Sequence, residues 1–503
     1  MRSGYGTTGR RIPTGLLGVA ALLLLAVPAT AQHRAKLSQD LADQLKAPKG
    51  QTLQVIVDGD AATLRQMASR HGLRVKRQLD AGLVLEGTAE GFDAAANDSA
   101  FTHGAPDYTV WANMAVTRES TGAQALAQAG GFAGLPKLTG KGIRIAVIDS
   151  GIDITHPAVA GRVFLSKNFI GDAADAVVDG FGHGTHMADV IAGALITIPG
   201  QAAQLGGMAP GARLISLKVL KADGSGKTSD VIRALQWVLR NAKAYDIRIV
   251  NLSMGHPVFE SYTDDPLCQA AQKLIDAGIV VVASAGNNGK VTVDRKMVPV
   301  YGGINVPGNL PDLITVGALN TFQTADRSDD SVATYSSKGP TAIDKVMKPD
   351  LVAPGNKVFA AMVEGSTVAS TPGLGKLTGV DGSQFIQMSG ASVSTGVVSG
   401  AVALMLEANP SLGPAHVKMA LQLSATFLPE GQLVAGSGSL NAAGAVWMAV
   451  NGPSPKVPAV QIAGDDVVGS GVLYWTGKKS GLKDIVKGDR IVWGDRIEIG
   501  RAS

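Results

Sequence analysis

A carboxylate, an imidazole and a hydroxyl stand in this chain at places where one fold could bring them together. Asp149 follows the apolar run Ile143 to Ile148 and precedes Ser150-Gly151. His183 lies in Asp179-Gly180-Phe181-Gly182-His183-Gly184-Thr185-His186, between glycines that let other backbone approach. Ser392 lies in Gly390-Ala391-Ser392, ahead of the long apolar stretch Val397 to Leu406. A serine hydroxyl is a poor nucleophile until a positioned imidazole takes its proton and a carboxylate orients that imidazole. A serine in the first turn of a helix also sits among free backbone N–H groups at the positive end of the dipole, a setting that favours an oxyanion. Taken by itself, Ser392 reads more readily as the N-cap of a core helix, and it is the residues upstream that reverse this. A fourth side chain, Asn287 in Ala283-Ser284-Ala285-Gly286-Asn287-Asn288-Gly289, follows another apolar run, and its amide could donate to that oxyanion.

The elements that must hold these groups follow from periodicity. Ile143 to Ile148, Leu214 to Val219, Ile247 to Leu252 and Ile279 to Ala283 are continuous apolar runs of strand length. Between and after them, helical spacing marks Thr185 to Ala194, Ser229 to Asn241, the run that opens at Ser392, and Pro414 to Leu423. Strands alternating with helices predict a mostly parallel sheet covered on both faces. Residues just past the C-terminal ends of such strands are where these folds build their sites, which suits Asp149 and Asn287. Residues 51–113 differ: strand Leu53 to Val57, helix Ala61 to His71, strands Leu73 to Leu79 and Gly82 to Glu86, helix Ala89 to Ala96 and strand Tyr108 to Trp111. That β-α-β-β-α-β order predicts a small ferredoxin-like α+β module, which says nothing about function alone. Residues 118–140 read as a connecting or lightly structured segment.

Composition excludes several classes. A formal net charge of +4 over 503 residues, with no block of Lys or Arg, is not a nucleic-acid footprint. One cysteine, Cys268, rules out an internal disulfide framework, and its amphipathic surroundings predict a buried, inert thiol. Residues 1–31 read as a signal peptide, with Arg2, Arg10 and Arg11, an apolar run from Leu16 to Val27, and a cleavage site after Ala31. No later stretch reads as a membrane span. From 451 to 503 the composition turns Gly- and Val-rich, and Ile485 to Arg501 repeats with a six-residue period, suggesting short stacked strands, an attachment tail or a solvated end. No zinc-type spacing and no phosphate loop is present, and no cofactor is expected.

These residues resemble the blocks of the subtilisin-like (subtilase, S8-type) serine proteases. Asp149 matches the first block in Ala146-Val147-Ile148-Asp149-Ser150-Gly151, His183 the Gly-His-Gly-Thr-His block, Asn287 the Ala-Gly-Asn block and Ser392 the Gly-Thr-Ser-Met-Ala block. Asn251-Leu252-Ser253-Met254-Gly255, Ala222-Asp223-Gly224-Ser225-Gly226 and Lys348-Pro349-Asp350-Leu351-Val352-Ala353-Pro354-Gly355 match as well, in family order. The resemblance implies a three-layer α/β peptidase domain over residues 118–450, preceded by a propeptide over 32–117 that inhibits it. It implies Ser392 as nucleophile, His183 as general base, Asp149 as its orienting acid and Asn287 as an oxyanion donor. It also implies that Gly224, Ser225, Gly226, Ser253, Met254 and Gly255 pair with an extended polypeptide substrate, and that Ser284, Ala285 and Gly286 line an uncharged P1 pocket, giving broad specificity with an apolar preference. The expected product is a secreted, monomeric endopeptidase made as a precursor. The alternative is an inactive surface or binding protein on the same fold, attached through its tail. Two positions depart from the family pattern, Ala391 for Thr and Gly396 for Pro. Family members often bind structural calcium, and the acidic run Asp326, Asp329, Asp330 is the place where this chain could do so.

Overall fold

The computed structural model of the protein describes residues 34–37, 41–42, 45, 52–79, 82–106, 113–128, 132–170, 177–200, 204–293, 296–452, 457–474 and 500–501. The signal-peptide reading, most of the hexapeptide repeat and the strand expected at Tyr108 to Trp111 lie outside these residues. The chain divides into two compact units, Met1–Thr109 and Val110–Ser503.

Among the described residues the first unit holds a five-stranded sheet packed by the helices Ala61–Arg70 and Ala89–Ala95. Its strands are β1 (Lys36–Leu37), β2 (Thr52–Asp58), β3 (Arg74–Leu79), β4 (Gly82–Thr88) and β5 (His103–Pro106), in the order β1-β5-β2-β4-β3. Leu53, Val55 and Val57 alternate inward along β2 and meet Leu64 and Met67 of helix Ala61–Arg70 and Phe92 of helix Ala89–Ala95. Each helix opens on a side-chain cap: Asp60 accepts from the Thr63 N–H and Thr88 from the Gly91 N–H. Without β1, the strand order is that of the expected ferredoxin-like module, but its last strand is His103–Pro106, ahead of the expected Tyr108 to Trp111. The short β1, parallel to β5, extends the unit to the N-terminal side of residue 51.

The second unit is built on an eight-stranded sheet. In chain order its strands are β6 (Arg144–Asp149), β7 (Val163–Asn168), β8 (Arg213–Lys218), β9 (Ile247–Leu252), β10 (Val280–Ser284), β13 (Ile314–Asn320), β14 (Ser331–Val332) and β15 (Leu351–Pro354), with a separate ribbon, β11 (Lys290–Val293) and β12 (Lys296–Pro299), between β10 and β13. The spatial order is β14-β13-β10-β9-β6-β8-β7, with β15 also on β13, and every pairing except β13–β14 is parallel. Side-chain alternation divides the core. Ile145, Val147, Leu214, Ile249 and Val282 face helices His183–Ala192, Ala391–Ala408 and Ala442–Asn451, whereas Ala146, Ile148, Leu217, Val250 and Val281 face helices Thr228–Tyr245 and Pro266–Asp276. These are the three layers that the sequence predicts.

Helix Ala391–Ala408 is long and apolar enough to cross a membrane, yet it runs buried through the middle of this core. Small residues let it do so. A Cβ at Gly396 would stand 3.1 Å from Val190 on the His183 helix, and one at Gly400 only 2.5 Å from Met208. Gly396 therefore trades intrinsic helix propensity for close helix–helix approach.

Three boundaries differ from the sequence reading. The unit boundary falls at Thr109/Val110 rather than after 117, because helix Asn113–Ser120 belongs to the second unit. Residues 118–140 are not a loose connector, since Ala123, Leu126, Leu135 and Leu138 are buried in the main core. Residues 457–474 are not a tail: Val460, Ile462 and Val467 join that core, and Tyr474 packs on Met347 and donates to the Pro349 carbonyl.

Candidate active site

Asp149 ends β6 at the C-terminal edge of the sheet, with its side chain 1% exposed. Its Oδ1 accepts from the Ser150 N–H (2.8 Å) and lies 2.7 Å from Nδ1 of His183. Among the described residues its Oδ2 has no hydrogen-bond partner. His183 is the first residue of its helix, whose N-cap, Gly182, has φ 91° and offers no capping side chain. Asp179 takes over that task. It accepts from the Gly182 N–H (2.7 Å), the Thr185 N–H (2.8 Å) and the Thr185 hydroxyl (2.7 Å). It also accepts from the Ser150 hydroxyl (2.7 Å), which in turn accepts from the Gly184 N–H (2.9 Å). One buried carboxylate thus fastens the start of the His183 helix to the end of β6, fixing the imidazole against Asp149. Phe181 stacks on the other side of that ring, with centroids 6.0 Å apart, and packs against Gly224.

Burial works to lower the His183 pKa, but the charge and hydrogen bond of Asp149, with the charge of Asp179, outweigh it and raise the pKa above 6.5. Burial raises the Asp179 pKa in spite of its four bonds. His186, one turn along, is a core histidine. Burial and the neighbouring imidazole push it down to about 3, and its Nε2 lies 3.3 Å from the Val358 carbonyl, with which a neutral ring can bond as donor.

Ser392 is the second residue of the helix Ala391–Ala408 and is half-buried. The turn before it is held at several points. The Gly390 N–H donates to the Gly355 carbonyl (2.8 Å), which also accepts from the Tyr335 hydroxyl (2.8 Å). The Ala391 N–H donates to Oδ1 of Asn287 (2.9 Å). That bond occupies the acceptor end of the amide, so it is Nδ2 that remains to donate to a ligand. The convergence can be measured at Gly390, where an added Cβ would lie 2.9 Å from Ser392 Oγ and 3.4 Å from Asn287 Nδ2. Behind the serine, Ser399 donates to Asn251 (2.9 Å), Asn251 to the Ser253 hydroxyl (2.7 Å), and Ser253 to the Ser392 carbonyl (3.2 Å). Among the described residues Ser392 and His183 share no hydrogen bond in this state.

The remaining candidates fall around this centre. Ser284 ends β10, Ala285 is bonded through its N–H to Val316, and Gly286 turns at φ 102°. A Cβ on Gly286 would meet the Asn305 amide at 2.8 Å and the Ser337 hydroxyl at 2.9 Å, so the expected P1 wall carries polar groups that sequence reasoning passed over. Ile304-Asn305-Val306-Pro307 has no periodic or motif signal to announce this. Ser225 lies in a tight turn closed by Lys221 and capped by Asp223, and Gly226 pairs with Leu220. Met254 packs on the core layer below, and Gly255 lies against Val306. Asp179 itself is the other residue missed, although it stands in the quoted histidine block.

The acidic run does not converge. Asp326 caps Ser328, Asp329 accepts from Thr324, and Asp330 turns inward to within 3.8 Å of Arg327. Among the described residues no group of three or more His, Cys, Asp or Glu is placed to hold a metal. Cys268 is buried and donates to Asn309, and burial pushes its thiol well above the ordinary range.

Residues 140–446 match the model of the subtilase family. Serine protease AprX of Bacillus subtilis is 36% identical over 315 residues, which is 61% of this chain and 67% of AprX. Subtilisin E of Bacillus subtilis is 30% identical over 290 residues, covering 58% of this chain and 62% of that protein. A cold adapted subtilisin-like serine proteinase of known structure overlays with a TM-score of 0.45 at 25% identity, over 61% of this chain and 90% of that one. On the family match and the sequence relatives, the chain belongs to the subtilase family of serine proteases.

Proposed function

We propose that this protein is an endopeptidase that cleaves polypeptides through an acyl-enzyme formed on Ser392. In this reading Ser392 Oγ attacks the scissile carbonyl while His183 Nε2 takes the hydroxyl proton. Asp149 keeps the other nitrogen protonated and stabilises the imidazolium that results. The carbonyl oxygen, now anionic, is stabilised by the Ser392 N–H and by Asn287 Nδ2. His183 returns its proton to the leaving amine, and water repeats the sequence to release the acid. The supporting observation is the arrangement of donors and acceptors: His183 Nδ1 sits 2.7 Å from Asp149, while Asn287 has its acceptor tied to Ala391 and its Nδ2 on the same side of Gly390 as Ser392 Oγ. Catalytic hydrogen bonds often tighten only in the substrate complex, which is where Ser392 and His183 must meet.

The test is labelling by a fluorophosphonate probe. Wild type is expected to become covalently labelled, and Ser392→Ala and His183→Ala to stay unlabelled. Equal labelling of Ser392→Ala and wild type would refute the assignment.

Three finer points belong to the same proposal. Met1 to Ala31 directs export. The first unit acts as an inhibitor removed on maturation, with the cut between about Asn113 and Gly122. Substrate pairs in extended form with Gly224–Gly226 and Ser253–Gly255, and an apolar P1 side chain lies along Ser284–Gly286. Cleavage of a peptide library after arginine as readily as after Phe or Leu would remove the P1 preference.

A further inference from the structure

Exposed apolar side chains are concentrated beside the site. Val291, Val293, Met297, Val298 and Tyr301 are 47%, 49%, 57%, 41% and 55% exposed, all within one short stretch. They lie on and just after the ribbon of β11 and β12, where Val291 faces Val298, Thr292 faces Met297 and Val293 faces Lys296. By alternation Val291, Val293 and Val298 form a row on one face, with Lys296 at its end. Among the described residues each strand pairs only with the other, so both outer edges keep unpaired main-chain groups. On β12 that edge is interrupted by Pro299, which has no N–H, whereas β11 carries no proline. A two-stranded ribbon is marginal by itself, and one that displays a valine row beside an open edge invites a partner.

The ribbon is rooted in the site's own wall. The Gly289 carbonyl accepts from the Val300 N–H (2.9 Å) and from Lys338 Nζ (2.8 Å), and its N–H donates to Tyr335 (2.8 Å). Asn288 is bonded to Ser337 (2.9 Å) and Asn305 (2.9 Å), the two residues that back Gly286. Asn287 comes immediately before. The ribbon therefore grows directly out of the segment that carries Asn287 and the residues behind Gly286.

We propose that this ribbon is a docking strip for extended, apolar-rich segments of unfolded polypeptide substrates, gripping chain beyond the residues that occupy the P1 wall. The idea rests on the protease reading. The chemistry selects the occupant: a free β11 edge asks for main-chain donors and acceptors, and a row of valines asks for apolar side chains in alternation, which only an extended polypeptide offers together. A lipid surface would leave the edge unpaired.

The test replaces the row with a β-branched, polar one, Val291→Thr, Val293→Thr and Val298→Thr together, keeping strand preference. Wild type and variant are compared on a chromogenic tetrapeptide and on reduced, carboxymethylated α-lactalbumin. The expected result is a roughly tenfold rise in KM for the unfolded protein, with its kcat and the tetrapeptide kcat/KM unchanged within about twofold. An unchanged KM for the unfolded protein overturns the proposal. So does an equal loss on both substrates, which would mean damage to the P1 wall, and so does a dimer or a vesicle-bound state that wild type forms and the variant loses while KM stays put. If wild type turns over neither substrate, the protease reading fails instead. The strip is then judged by anisotropy on labelled carboxymethylated α-lactalbumin with Ser392→Ala protein, where weaker binding on adding the three threonines supports it and equal binding refutes it.

Discussion

Two buried carboxylates in this molecule are treated in opposite ways. Asp350, just ahead of β15, has its charge saturated: Lys348 Nζ is 2.8 Å from Oδ2 and Lys418 Nζ 2.9 Å from Oδ1, with the Thr315 N–H at 2.8 Å and Gln422 Nε2 at 3.2 Å. Both lysines also donate to the carbonyls of Pro311 and Leu313. Burial would raise the Asp350 carboxyl, but the two ammonium groups hold it below its usual range. Asp149 is as deeply buried, yet among the described residues only one of its oxygens is bonded, and the group facing it is an imidazole at the rim of the sheet. The difference shows what each is for. A saturated carboxylate locks three parts of the chain in one arrangement. A partly satisfied one leaves a neighbour's proton free to come and go.

The contrast predicts separate failures. Asp350→Ala leaves two lysine charges in an apolar interior, and breaking such a buried pair costs about 3–5 kcal/mol. Urea unfolding in a Ser392→Ala background, which prevents self-digestion, should show that loss, and a change below about 1 kcal/mol would mean that the Lys348–Asp350–Lys418 cluster is not integral to the fold. Asn287→Ala should do the reverse. It removes an oxyanion donor at roughly 10²–10³ in kcat with KM nearly unchanged, while the Ala391 N–H loses one acceptor, worth about 1 kcal/mol of stability. A kcat within about threefold of wild type would place the oxyanion elsewhere.

The two sites were not equally legible in the sequence. Asp149, His183, Asn287 and Ser392 each follow an apolar run or stand in a glycine-rich turn, so strand ends and local motifs pointed to them. Asp350 was visible only as part of a block, because its second lysine, Lys418, arrives on a helix far along the chain and no spacing rule connects them. Asp179 stood in the histidine block unread, since its four bonds come from the turn at Gly182, from Thr185 on the helix and from Ser150 nearly thirty residues earlier in the chain, which no local spacing connects. Short elements hid burial as well. The helix Ala123–Ala127 and the three-residue strands near Val460 and Val467 are too brief to complete a hydrophobic period, yet they carry core residues. Their existence is set by tertiary packing rather than by local pattern.

The finest test of the contrast changes one charge near the imidazole without touching Asp149. Catalysis needs neutral His183, so kcat/KM should fall as pH drops through its pKa, and the acid limb should lie above 6.5 because Asp149 and Asp179 together outweigh burial. Asp179→Asn withdraws the smaller of those two charges, so the limb should move toward acid. The helix cap is weakened too, but that damage is read separately in the alkaline plateau, where His183 is neutral in both proteins. Stability follows the linked sense: a raised imidazole pKa stabilises the folded state fully below the unfolded value and is lost as pH rises through the folded one, so the variant should lose more stability in acid than in base. Rates on an uncharged tetrapeptide between about pH 5 and pH 9 decide it. A limb that stays in place while the plateau falls would show that Asp179 serves only as a mechanical clamp, and that the asymmetry around Asp149 alone governs the proton.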